Sequence, residues 1–144
     1  MGEEFTVYSD KVIRYLNDAT IVARLAHWNV RGKDFYSCHL LFERIYNSLA
    51  DHMDGMVEVL RSSGYEPDFN VFSGPGISMQ DVDCGNLIDL VQDYSLALQS
   101  AVGIFYRFAE EVKSDPRMVA ISNALQSLSQ TCATNLYLLQ STRG

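Results

Sequence analysis

The sequence predicts an all-α fold, a single four-helix bundle with one long connection at its middle. Three observations predict it. Apolar residues recur at spacings of three and four through four separate stretches, the pattern of helices that bury one face. No stretch shows the strict alternation of a half-buried strand. The periodicity has one long interruption, between the second and third stretches.

The first seam is Val12, Leu16, Ala19, Ala23, Ala26 and Val30. It ends at Asn29-Val30-Arg31-Gly32, where Gly32 suits the left-handed position that follows a helix. Asp34 is placed to cap the second helix, whose seam runs Cys38, Phe42, Ile45, Leu49, Met53, Met56 and Leu60 and stops at Ser63-Gly64. From Tyr65 to Cys84 the period is lost, and Phe72-Ser73-Gly74-Pro75-Gly76 is a strong breaker. Some 20 residues are too many for a tight turn in a compact domain, so the segment reads as a crossover. The third seam is Leu87, Leu90, Val91, Tyr94, Leu98, Val102, Phe105, Phe108 and Val112. Asp115-Pro116 then supplies an N-cap and a first-turn proline for a fourth helix carrying Ile121, Leu125, Leu128, Cys132, Leu136 and Leu139. Two helical hairpins joined by one long crossover form the ferritin-like kind of four-helix bundle, and residues 1–144 read as one such domain.

The net charge of -7 disfavours a nucleic-acid surface and favours cations. No apolar run approaches the ~20 residues of a membrane span, and Met1-Gly2-Glu3-Glu4-Phe5 lacks the basic and apolar regions of a signal peptide. A cytoplasmic protein is expected. Cys38, Cys84 and Cys132 are odd in number and show no CxxC spacing, which suits a reducing compartment better than a disulfide framework. Cys38 and Cys132 fall on apolar faces and read as small core residues. Trp28 reads as a packing aromatic, Tyr46 and Tyr94 as seam residues, and Gly103 as the mark of a close helix contact.

Five residues carry the chemistry. His27, His39, Glu43, Asp54 and Glu58 are the imidazoles and carboxylates that a redox-active first-row metal takes up. At about 100° per residue, Glu43, Asp54 and Glu58 sit roughly 40°, 60° and 100° around the second helix from His39, so the four share one face. His52 lies roughly 220° away and reads as a surface residue or subunit contact. His39 and Asp54 are separated by roughly 22 Å along the helix axis at about 1.5 Å per residue, whereas metal–ligand bonds are about 2 Å. One chain therefore offers half-sites. An antiparallel twofold copy, centred near Ser48 and Leu49, would set His39 opposite Asp54 and Glu58 and form two equal sites. The turn centred near Gly32 and Lys33 brings residue 27 alongside residue 38 or 39. The Glu-x-x-His signature of ferritins is absent, and no histidine follows His52.

The stretch His27-Trp28-Asn29-Val30-Arg31-Gly32, then Phe35, His39, Phe42, Tyr46 and Asp51-His52-Met53-Asp54 with Glu58 three residues before Arg61, resembles Dps, the DNA-binding protein from starved cells, a mini-ferritin. The motif likeness covers roughly residues 24–61, and the four-helix pattern extends it. The resemblance implies a hollow dodecameric shell of twofold dimers that binds Fe(II), oxidises it with hydrogen peroxide, and stores ferric mineral. Position by position it makes His27, His39, Asp54 and Glu58 the ferroxidase residues of a di-iron site. Glu43, as a further ligand, stands where the family commonly has an aspartate. Zinc or another divalent ion is expected to substitute in vitro. Two departures stand out. The first ten residues hold Glu3, Glu4 and Asp10 and no basic residue, where several DNA-binding members have a lysine-rich tail. Phosphate neutralisation by Lys and Arg dominates DNA affinity, so DNA binding is not expected; the competing reading is a non-enzymatic, DNA-compacting protein. No Asp or Glu follows Asp115, although the family often lines threefold iron pores with carboxylates of the last helix.

Overall fold

The computed structural model describes residues 2–144. It holds four helices, α1 (Gly2–Asn29), α2 (Phe35–Arg61), α3 (Cys84–Glu111) and α4 (Pro116–Arg143), and no strand among the described residues. The predicted seams become the core: Val12, Leu16, Phe42, Ile45, Leu49, Leu98, Phe105, Leu125 and Leu139 are all buried. The first helix begins about ten residues before its predicted seam, and Phe5 and Ser9 continue its buried face. No helix of the described residues is long and apolar enough to cross a membrane.

Each helix packs on two neighbours, α1 on α2 and α3, and α4 on α3 and α2. Side-chain partners give the directions. Phe5 and Tyr8, near the start of α1, meet Phe105 near the end of α3, at 6.0 and 5.8 Å between ring centroids. Ser48 pairs with Asn135, and His52 with Thr131. Both adjacent pairs are thus antiparallel. Since α1 and α2 also form a hairpin, α2 and α3 run parallel, and their connection has to travel the length of the bundle. A helix of 28 residues is about 42 Å long at 1.5 Å per residue, which is why the crossover cannot be short.

The crossover runs along α1. Tyr65 is buried and donates its hydroxyl to Asp10 at 2.8 Å; burial and that bond push the phenol well above its ordinary range. Gly74, at φ 79°, lies against Ile21, and Val82 accepts the Arg31 amide at 3.0 Å. Asp83 caps α3 through the Asn86 amide. Asp115 caps α4, where the Arg117 side-chain hydrogen bond holds its carboxyl at about 2. Because that value is depressed, the cap contributes above the ordinary carboxylate range and is lost only as the pH falls through about 2.

Three expectations are corrected. Asp34 precedes α2 but adopts φ 66° and makes no side-chain cap bond. Its left-handed backbone closes the turn instead. Gly103 makes no close contact, since a Cβ built there meets nothing within 4 Å. Trp28 is 65% exposed in the single chain and does not pack in the core.

Phe105→Ala should cost about 3–5 kcal/mol through the cavity it leaves, whereas Gly103→Ala should gain about 0.5–1 kcal/mol from helix propensity. Guanidinium unfolding followed by circular dichroism at fixed protein concentration checks both. A destabilised Gly103→Ala would mean that its open space is filled in solution.

Candidate metal centre

The centre begins with the turn between α1 and α2. Gly32 (φ 88°) and Asp34 (φ 66°) reverse the chain within five residues, and the Phe35 amide closes the turn on Gly32 O at 3.1 Å. His27, in the last turn of α1, therefore meets His39, in the second turn of α2. Their rings stack at 3.8 Å between centroids, 19° from parallel.

Each imidazole binds the other's backbone. His27 Nδ1–H donates to His39 O at 2.8 Å, and His39 Nδ1–H donates to His27 O at 2.9 Å. The second bond serves one of the end carbonyls of α1 that find no partner inside the helix. A neutral imidazole that donates from Nδ1 keeps its lone pair on Nε2. Both rings thus offer Nε2 as a ligand atom, with the outer nitrogen fixed by a carbonyl as behind metal-binding histidines generally. The carbonyl end of α1 adds a partial negative charge that favours a cation.

Glu43 lies one turn beyond His39. One ligand atom from each of His27, His39 and Glu43 falls within 4.8 Å of the others. His27 is buried, while His39 and Glu43 are half-buried, so the group opens to the surface. Phe35 stacks on His39 at 5.1 Å, and Tyr46 meets the His27 ring edge-on at 5.4 Å. The Arg24 guanidinium lies over the Tyr46 ring, 4.7 Å from its centroid. Tyr46 thereby shapes the wall of the centre, beyond the seam position that its spacing suggests. Phe35, stacked on His39, is itself exposed, as are the apolar side chains of Trp28, Tyr36 and Leu40 near it in sequence.

Asp54 and Glu58 are not in this group. Both are exposed, one turn apart, far along α2. The fifteen residues between His39 and Asp54 span roughly 22 Å of helix. His52 points elsewhere: its Nε2 lies 2.8 Å from Thr131 Oγ1, which ties α2 to α4. Burial lowers the proton affinity of this imidazole, with Asp51 opposing.

The cysteines correct the expectation of unpaired thiols. Cys38 and Cys84 are joined by a disulfide, with Cα atoms 6.0 Å apart. Only Cys132 is free; it is buried, and burial pushes its thiol up to about 12. Nothing in the spacing of Cys84 signalled a partner, because the crossover alone brings it to Cys38.

An antiparallel helical bundle with one long crossover, carrying paired imidazoles and carboxylates on one hairpin, defines the class as ferritin-like. Within that class the chain is similar to Dps proteins, in sequence over a short stretch and in fold over its length. No protein-family model matches it. A stretch of 41 residues is 42% identical to the DNA protection during starvation protein of Helicobacter pylori, covering 28% of this chain and 28% of that relative's length. The fold is similar over the whole chain to a Dps protein from Bacillus brevis, with a TM-score of 0.80, 16% identity and 100% of both chains covered. It is similar also to antigen TpF1 of Treponema pallidum, with a TM-score of 0.81 and 16% identity over 99% of this chain and 95% of that one.

The reciprocal bonds specify the tautomer. In the metal-free protein above the histidine titration range, 15N NMR should find the proton of both His27 and His39 on Nδ1. Nε2–H signals for either ring would contradict the arrangement.

Proposed function

We propose that the chain is a mini-ferritin that binds Fe(II) between twofold-related copies, oxidises it with hydrogen peroxide, and stores the ferric product inside a dodecameric shell. The observation that carries the reading is the division of its ligands: His27, His39 and Glu43 converge, while Asp54 and Glu58 of the same helix face stand exposed far along it. Antiparallel pairing of α2 with a second copy supplies the missing carboxylates to each histidine group and forms two equal centres. The exposed apolar side chains of Trp28, Phe35, Tyr36 and Leu40 on the same hairpin favour cover by that second copy.

Iron is the substrate. Imidazole nitrogens and carboxylate oxygens suit it, and a centre with few protein ligands leaves room for peroxide. Two Fe(II) ions held together give up one electron each. The peroxide O–O bond breaks, two protons are taken up, and two waters form with two Fe(III), so no hydroxyl radical is released. The protein contributes proximity, holding both reductants at one oxidant.

Light scattering should report about twelve chains, by the family likeness. Complementation then tests the shared centre. His27→Ala/His39→Ala and Asp54→Ala/Glu58→Ala should each abolish iron oxidation. In a mixed dimer one centre collects both defects and the other is intact. Random mixing makes half the dimers mixed, so co-refolded shells should regain roughly a quarter of the wild-type centres. Confirmed co-assembly without activity would refute the division.

DNA affinity should be weak. Glu3 and Glu4 occupy the first turn of α1, and the net charge of -7 repels phosphate. Metal-free protein should leave plasmid unretarded in a gel at physiological salt. Retardation would favour the DNA-compacting alternative.

A further inference from the structure

The Cys38–Cys84 disulfide spans 46 residues and fastens the start of α3 to α2. Cys38 immediately precedes His39, whose carbonyl receives the His27 hydrogen. On the other arm of the hairpin, Arg31 follows His27 by four residues and donates its amide to Val82 at 3.0 Å. The end of the crossover is thus attached to both arms of the histidine hairpin, about one turn or less from each ring. One attachment is a single hydrogen bond; the other is covalent. The two cysteines differ in exposure. Cys38 is fully buried, whereas Cys84 is part-exposed at the first position of α3. A small oxidant or thiol arriving from solvent therefore reaches Cys84 before Cys38.

We propose that Cys38 and Cys84 form a redox-active thiol–disulfide pair, closed by peroxide and opened by small thiols, that latches the crossover onto the histidine hairpin and so tightens its hold on a metal ion. The metal clause rests on the function proposed above; the latch itself does not. In closing, the Cys84 thiolate attacks one peroxide oxygen, the O–O bond breaks, and one water leaves with formation of a sulfenic acid. The Cys38 thiol then attacks that sulfur, the S–S bond forms, and a second water leaves. Two thiols and one hydrogen peroxide give one disulfide and two waters. In opening, a small thiolate attacks the Cys84 sulfur and releases the Cys38 thiol, and a second small thiol frees Cys84. The buried Cys132 stays out of the exchange.

Metal-free full-length protein is prepared reduced, with the reductant then removed, and after one equivalent of hydrogen peroxide per chain. Iodoacetamide labelling read by mass spectrometry should show Cys38 and Cys84 lost together on oxidation and recovered with dithiothreitol. Amide hydrogen exchange in 27–39 and 82–88 should be about tenfold faster in the reduced protein, as expected when a local tie is released. Co(II), used as the probe metal, should bind roughly tenfold more weakly there, the scale on which groups behind metal ligands act. Cys84→Ser should match the reduced protein in both readouts and ignore peroxide. A pair that peroxide does not close, equal exchange in the two states, or measurable but equal Co(II) affinities would overturn the proposal. Different exchange with no Co(II) binding in either state would uphold the latch and refute the metal-binding reading instead.

Discussion

The parallel course of α2 and α3 is the constraint on which the rest of the molecule turns. Neighbouring helices in the bundle are antiparallel, so the chain leaving α2 must return along the full length of the bundle before α3 begins. It does so beside α1, passing Asp10, Ile21 and Arg31 in order as Tyr65, Gly74 and Val82 go by. The return ends beside the α1–α2 turn. Cys84 therefore reaches Cys38, and the one irregular segment of the fold finishes beside its chemically richest hairpin.

At that hairpin the backbone does as much as the side chains. Helix ends leave carbonyls without partners, and here one of them is answered by an imidazole of the opposite helix. The reciprocal bond fixes the second ring. The orientation and tautomer of both rings follow from a turn of five residues rather than from a dedicated scaffold, and Glu43 joins them one helical turn further along α2. Asp54 and Glu58 share the face of α2 but not the location, and within one chain the two ends of that face stay apart.

Much of this was legible in the residues. Val12 through Val30 and Cys38 through Leu60 have helical spacing, and spacing of apolar residues reports burial directly. The meeting of residues 27 and 39 followed from where Gly32 must turn. The separation of His39 from Asp54 followed from the rise of a helix. Trp28 and Asp34 were misread for a common reason: residue type gives an average preference, and these two sit where local geometry overrides it. Trp28 stands just before a tight turn with its ring outward, and Asp34 spends its conformation on closing that turn, leaving none for a cap. Gly103 was misread because a glycine in a helix can mean close contact or open space, and the sequence does not distinguish them.

The sequence by itself determined the four helices, the long crossover, the acidic surface and the five residues of ligand type, since these depend on periodicity, composition and helical rise, all of which are local. Tertiary structure alone decided which sulfurs meet, which nitrogen of each imidazole is tied to a carbonyl, and that Glu43 joins the two histidines in one group. Those outcomes depend on contacts between residues distant along the chain, set by how two hairpins and a crossover pack against one another, and no spacing along the chain encodes them.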